Sequence, residues 1–174
     1  MDTTYYVIYG MLLLLSVFGL VVGVSNDACN FLNSSLGSRS GTYTGAVAVA
    51  AVGVLLGASF SSGMMEIARS GVFIPSMFTF HEVMILFLAV MVANVILLDV
   101  FNTLGLPTST TMALIFALLG SSLGMAYFNL GDGPGSLADY INTDKVLFMV
   151  AGIFCSVAIA FTVGTVVMWF SRLL

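Results

Sequence analysis

Five long apolar runs alternate with short polar segments along the chain. Each run has about twenty residues, which is the length that a helix needs to cross the hydrocarbon core of a bilayer. The alternation over about ten residues that is typical of a membrane β-barrel strand is missing. The pattern therefore predicts an all-α integral membrane protein with about five long apolar helices. The runs cover residues 5–24, 42–64, 82–103, 112–128 and 146–170.

The composition supports the same fold class. The 174 residues are 60% hydrophobic and 7% charged, and the mean hydropathy is +1.14. A soluble domain has about a quarter of its residues charged. We therefore expect a single membrane domain, residues 1–174, in a multi-pass protein surrounded by lipid, in the cell (inner) membrane if the source is bacterial. No basic patch is present, so a nucleic-acid partner is not expected.

The first of two polar islands, residues 24–39, follows directly on the first apolar run. If this island is helical, Asn26, Asn30 and Asn33 lie on one stripe, with Asp27 and Ser34 beside it. A carboxylate at the centre of a bilayer costs roughly 2.5–3.5 kcal/mol, and amides without partners add to that cost. Such a cluster in an apolar chain indicates a binding site for an ion or a polar solute.

The second polar island, residues 99–111, begins at Asp99 and ends in G-L-P-T-S-T-T. The residue before Pro107 is disfavoured in a helix, whereas Pro107 itself suits the first turn of a new helix. One helix is therefore expected to end here and another to begin, so we predict broken or re-entrant half-helices in addition to the long ones. The hydroxyls of Ser109, Thr110 and Thr111 lie close to that helix start.

The two islands differ in their chemistry. The first offers oxygen acceptors: the Asp27 carboxylate, the amide carbonyls and any backbone carbonyls freed by unwinding near Gly23. Hard cations bind such oxygens. The second offers hydroxyl and backbone N–H donors at a helix start, which suit an anion. A cation site and an anion site on broken membrane helices are typical of the midplane site of a coupled transporter.

Each island also has a simpler interpretation. The Asp27 carboxyl group could be structurally paired or protonated, the run Ser109–Thr111 could only cap a helix, and Asp99 could lie near the membrane interface. The sequence contains no discernible Ser/His/Asp triad and no Cys/His metal set. We therefore expect neither an enzyme nor a cofactor.

The two islands resemble the signatures of the inorganic phosphate transporter (PiT) family. The family motif G-A-N-D-V-A-N-A followed by G-T-S-V-G-S corresponds to V-S-N-D-A-C-N-F followed by N-S-S-L-G-S. The second family motif, G-L-P-V-S-T-T-H, corresponds to G-L-P-T-S-T-T-M, and the linker M-E-I-A-R-S-G-V is similar to the family's E-T-I-R-K-G segment. The resemblance covers roughly residues 20–128 with order and spacing preserved.

The resemblance implies uptake of inorganic phosphate driven by a sodium or proton gradient. It places Asn26, Asp27 and Asn30 in or beside the ion and phosphate sites, and it makes Ser109, Thr110 and Thr111 phosphate-facing donors. The resulting candidates for phosphate binding are Ser109, Thr110, Thr111, Asn30 and Ser34. The candidates for cation binding are Asn26, Asp27, Ser25 and Asp99, with Asn26 and Asp27 as the sodium ligands.

Two departures from the family pattern concern the coupling ion. Met112 stands where the family usually has a histidine, which removes a group that a proton can titrate. This favours sodium as the coupling ion, with the proton as the alternative. Ser25 replaces a small alanine and adds a hydroxyl that could serve as a ligand.

A third departure is that only one copy of the signature occurs in these 174 residues, whereas family members carry it twice, in inverted halves. Three arrangements are open: the N-terminal half of a longer transporter, one half that pairs with a separate partner half, or an antiparallel homodimer. If every run crosses once, the four basic residues are split evenly between the two sides. The split suits the homodimer and leaves the orientation unpredicted.

The leading hypothesis is therefore a phosphate symporter, or half of one. The alternatives are a symporter for another oxyanion such as sulfate, a passive anion channel, and a non-transporting membrane subunit.

Overall fold

A computed structural model describes residues 3–39, 41–131 and 135–173, and the described residues form helices joined by short connections. Four of these helices are long and apolar enough to cross a membrane: α1 (Thr3–Gly37), α4 (Phe80–Thr103), α5 (Thr110–Leu130) and α6 (Thr143–Ser171). A fifth apolar helix, α2 (Tyr43–Ser59), has 17 residues, and α3 (Ser62–Glu66) has five. The chain is thus an all-α, multi-pass integral membrane protein, as predicted.

Helix α1 is continuous through the first polar island. Its 35 residues include Gly23, so the unwinding expected there does not occur and that expectation was wrong. At 1.5 Å per residue the helix is about 52 Å long. Within the continuous helix, Asn26 and Asp27 reach partners outside α1, as described below.

Helix α4 runs beside α1 in the same direction. The Tyr5 ring near the start of α1 contacts the rings of Phe80 and His81 at the start of α4. Further along, a Cβ at Gly19 would lie 3.5 Å from Met91 Cε and 3.6 Å from Val95 Cγ2. These are ordinary van der Waals distances, so Met91 and Val95 lie directly over Gly19 and leave room there for no more than a methyl group.

Helices α4 and α5 form an antiparallel hairpin. They are joined by residues 104–109, the hairpin tip, and they pack against each other. A buried apolar cluster lies between them and the segment that precedes α4, so it is concentrated at the end of the hairpin away from the tip. The cluster consists of Val72, Phe73, Phe78, Leu86, Val90, Ile115, Leu118 and Ala126.

Helix α2 ends earlier than the apolar run 42–64 suggested. The Ser59 hydroxyl donates to Leu55 O and the Ser61 hydroxyl donates to Ala58 O, both at 2.8 Å. Serine side chains that bond to helix carbonyls compete with the backbone ladder. The helix stops at Ser59, and α3 with a π-helical turn at Ile67–Gly71 follows.

Helices α2 and α6 have no buried residue. The start of α6 is nevertheless fixed to the rest of the chain, because Asn142 N donates to Val72 O at 2.9 Å and Ile74 N donates to Tyr140 O at 3.0 Å. Most of α6 therefore presents apolar side chains outward, to lipid or to another polypeptide.

Candidate functional site

The two polar islands meet where the hairpin tip contacts α1. Asn26 lies on α1 and is 2% exposed. Its Nδ2 donates to Asn102 Oδ1 at 2.8 Å, and its Oδ1 accepts from the Thr108 backbone N–H at 3.4 Å. Asn102 Nδ2 in turn donates to the backbone oxygen of Val22 at 3.0 Å. These side-chain contacts bring together two islands that are about eighty residues apart in the sequence.

The tip begins where α4 ends in a glycine cap. Gly105 has a φ of +68°, the left-handed region that favours glycine. Its N–H donates to Asn102 O at 3.1 Å, and Leu106 N donates to Phe101 O at 2.9 Å. This pair of bonds is the Schellman motif, which satisfies carbonyls at a helix end and turns the chain sharply. Pro107 then directs the chain into α5.

Helix α5 begins with Ser109 as its N-cap. The Ser109 hydroxyl oxygen accepts from Met112 N at 3.3 Å, and the first helical backbone bond runs from Ala113 N to Ser109 O. The N–H groups of Thr110 and Thr111 precede that bond, so they have no carbonyl partner within the helix. Because the helix dipole is positive at this end, the α5 start can accept an anion.

Asp27 faces this helix start. The Thr110 hydroxyl lies 3.4 Å from Asp27 Oδ1 and 3.3 Å from Asp27 Oδ2, and it can donate to either oxygen. Both side chains are partly buried. The contact places the single carboxylate of the first island next to the hydroxyls of the second.

These groups line an open cleft of about 530 Å³, which we call the polar cleft. None of the residues that line it is basic, so Asp27 supplies the only formal charge on its walls. A smaller cleft of about 160 Å³ on the other side of Asn30 is lined partly by Asn33 and Phe101. The polar cleft is lined by Asp27, Asn30, Pro107, Thr108, Ser109, Thr110 and Thr111.

Five predicted site residues therefore share the polar cleft: Asp27, Asn30, Ser109, Thr110 and Thr111. Asn26 is adjacent but lines only the smaller cleft. The oxygen and the nitrogen of its side-chain amide are both hydrogen-bonded within the chain.

Three other predicted residues lie outside both clefts. The Ser25 hydroxyl donates to Val21 O at 2.8 Å within its own helix. Ser34 and Asp99 are exposed. These three side chains are not brought to the cleft in this arrangement.

The sequence reasoning missed Asn102 and the Thr108 backbone N–H. Asn102 was visible as a polar residue at the end of an apolar run, three residues before the G-L-P segment. Its spacing alone does not reveal that its partners are Asn26 and Val22, because those contacts depend on how α1 and α4 pack.

Comparison with known proteins agrees with the resemblance. The model of the phosphate transporter family matches residues 23–174. A protein of Thermococcus kodakarensis named "Putative phosphate permease TK2061" is 31% identical over 116 residues. This match covers 65% of the chain but 29% of the relative. No solved structure matches the chain. Because the family match extends over most of the sequence and includes both islands of the cleft, the chain belongs to the phosphate transporter family.

Proposed function

We propose that this chain moves inorganic phosphate across the membrane by cation symport, with sodium as the coupling ion, and that it supplies half of the transport site. The observation that carries the proposal is the pairing of Asp27 with the open start of α5 in one cleft without a basic residue. A phosphate bound at the helix start would be repelled by the Asp27 carboxylate. A cation between the two would offset that repulsion, so the anion and the cation bind better together than separately.

The position of the cleft along α1 supports transport rather than surface binding. Helix α1 continues for ten residues beyond Asp27, to Gly37, or about 15 Å. If α1 crosses the bilayer, Asp27 lies well inside the length of the helix and within reach of the hydrocarbon depth. Placing polar side chains at that depth costs free energy, so they are rare there and usually mark the pathway of an ion or solute.

The cleft contains acceptors as well as donors, which favours phosphate over sulfate. Asn30 and Asp27 offer oxygens, and Thr110 and Thr111 offer N–H groups. Phosphate near neutral pH retains a proton that it can donate to such an oxygen, whereas sulfate has none. Met112 stands in place of the family's usual histidine and is the basis for proposing sodium rather than a proton.

The cleft is open on one side, since Asn30, Ser109 and Thr111 are exposed. We propose that a second half completes it. The three arrangements considered above differ in the source of that half: a continuation of this polypeptide, a separate partner chain or a second copy.

The test is phosphate uptake by the assembled transporter that contains this chain, reconstituted in liposomes with and without an inward sodium gradient. We expect uptake that depends on the gradient, with stronger competition from arsenate than from sulfate. The Asp27→Asn variant removes the charge that holds the cation. We expect it to lower sodium-driven uptake by about tenfold or more, because the attraction between a carboxylate and a cation about 4 Å apart amounts to roughly 1–4 kcal/mol near a protein surface.

Asp144→Asn is the matched control, because Asp144 is exposed at the start of α6 and does not line the polar cleft. Its uptake should equal that of the unaltered protein. Gradient-independent conductance in bilayer recordings would instead indicate an anion channel. Unchanged uptake in Asp27→Asn would contradict the proposed cation site.

A further inference from the structure

We infer that Asn102 is a positioning residue that fixes the hairpin tip, and with it the start of α5, against Asp27. This inference rests on the proposed function, because it concerns the same cleft. Asn102 itself does not line the polar cleft. Its effect is transmitted through Asn26.

The contacts form a chain of three hydrogen bonds, in which each residue donates to the next. The Thr108 backbone N–H donates to Asn26 Oδ1, Asn26 Nδ2 donates to Asn102 Oδ1, and Asn102 Nδ2 donates to the Val22 backbone oxygen. We call these three bonds the amide chain. It connects a backbone oxygen of α1 to a backbone N–H of the hairpin tip.

The orientation of both asparagine side chains follows from Val22. A backbone oxygen only accepts, so it must face the Nδ2 end of Asn102, which directs Asn102 Oδ1 toward Asn26. Asn26 must then present Nδ2 to Asn102, which leaves its Oδ1 for the Thr108 N–H. Reversing either amide would place two acceptors or two donors against each other in a buried position.

The amide chain holds the end of α4 firmly against α1, and the tip begins at that end. The two bonds that join Asn102 to α1 measure 2.8 and 3.0 Å, whereas the two contacts from beyond the α4 cap, the Thr108 N–H to Asn26 and the Thr110 hydroxyl to Asp27, are longer, at 3.4 and 3.3–3.4 Å. Asn26 directly precedes Asp27 on α1, and Thr108 is two residues before Thr110. The amide chain therefore sets the separation between Asp27 and the N–H groups at the α5 start.

Asn102, in the last turn of α4, connects the amide chain to the cap at the end of that helix. Asn102 contributes its backbone oxygen to the Gly105 cap and its side chain to the amide chain. The same residue thus takes part in the cap that ends α4 and in the bonds that place the following tip relative to α1.

The test compares Asn102→Ala, Asn26→Ala and the double variant in the assembled transporter. Two readouts are used: the KM for phosphate in sodium-driven uptake, and hydrogen–deuterium exchange of the segment 106–112 in the detergent-purified protein. We expect Asn102→Ala to raise the KM about three- to tenfold, in line with the strength of side-chain hydrogen bonds in membrane proteins. We also expect it to increase early exchange by about one amide, the Thr108 N–H.

The double variant separates positioning from general support of the fold. If Asn102 acts through Asn26, adding Asn102→Ala to Asn26→Ala should change the KM and the exchange by less than about twofold, because the amide chain is already broken. Fully additive effects would overturn the inference. Thr103→Ala, an exposed neighbour in the same turn, is the control and should leave both readouts unchanged.

The two proposals fail in different ways. Phosphate uptake together with an unchanged KM and unchanged exchange in Asn102→Ala would overturn the positioning role alone. If no assembly transports phosphate, the proposed function fails, and faster exchange in Asn102→Ala would still support the positioning of the tip. If Asn102→Ala does not fold, Asn102→Gln keeps an amide but displaces it by one methylene, and the same increases in KM and exchange are expected.

Discussion

Two adjacent residues of α1 have different tasks. Asn26 is buried and uses both ends of its amide within the chain, whereas Asp27 is only partly buried and faces the polar cleft. Helical geometry explains the difference, since neighbouring residues point about 100° apart around the axis. Asn30, one turn beyond Asn26, is exposed and lines both clefts together with residues of the hairpin tip.

The Thr110 hydroxyl provides a test at the residue scale. Thr110→Val has nearly the same shape but cannot donate to Asp27 or to a bound anion. We expect it to raise the sodium concentration that gives half-maximal uptake, or the KM for phosphate, by about threefold or more, from the loss of one net hydrogen bond of roughly 0.5–1.5 kcal/mol.

Thr110→Ser keeps the hydroxyl and is the matched control for this test. Both constants should remain close to those of the unaltered protein in uptake assays. Equal effects of the two substitutions would show that the methyl group, and not the hydroxyl, is required.

At the scale of elements, the sequence predicted the helix start in the second island but not the path of the first. The G-L-P-T-S-T-T segment supplies Gly105 for the cap of α4 and Ser109 for the N-cap of α5, but Pro107 lies two residues before that N-cap, so the prediction that it stands in the first turn of the helix was wrong. The continuity of α1 was not predictable in the same way. Gly23 could have marked a break, but it lies inside the continuous α1, and the contacts of Asn26 with α4 and the tip could not be read from the sequence.

The glycine cap can be tested directly. Gly105 has a positive φ, and a Cβ added there would meet no atom within 4 Å, so only backbone strain opposes a side chain. We expect Gly105→Ala to lower the free energy of unfolding by about 1–2 kcal/mol, the cost of a left-handed conformation for an L-residue.

Thermal unfolding of the detergent-purified protein measures this effect. Gly10→Ala is the control, because Gly10 is helical and equally uncrowded. There alanine should be neutral or slightly stabilising. An unfolding midpoint for Gly105→Ala at or above that of Gly10→Ala would contradict the role of the cap.

At the scale of the whole molecule, the fold class and the membrane location followed from hydropathy, whereas the way the helices pack did not. The parallel pairing of α1 with α4 depends on local fits such as Met91 and Val95 against Gly19. In the described part of the chain α6 has no buried residue. It nevertheless carries a stripe of small residues at a four-residue spacing: Gly152, Ser156, Ala160 and Gly164. Such a stripe is typical of helix contacts in membranes.

The proposed second half gives a prediction at this scale. If α6 contacts that half, Ala160→Leu should weaken the association, because the larger side chain prevents close helix approach. Co-purification of the two halves, or the mass of the assembly if they are identical copies, measures the effect. Phe154→Leu is the control and should leave assembly intact, because Phe154 lies about 120° around the helix from Ala160 and is exposed. Full association of Ala160→Leu would exclude this stripe from the interface.

The unequal lengths of α1 and the hairpin have a consequence for access to the cleft. Beyond the tip, the last ten residues of α1 carry the polar side chains of Asn30, Asn33 and Ser34. A hydrated entrance to the cleft beside this end of α1 would therefore be lined by polar groups. Away from the tip, the buried side chains of Leu86, Val90 and Leu118 hold α4 and α5 together. A solute that entered beside the end of α1 would therefore meet a closed hairpin, and delivery to the opposite compartment would require the contacts between the hairpin and α1 to open while the apolar cluster inside the hairpin stays packed.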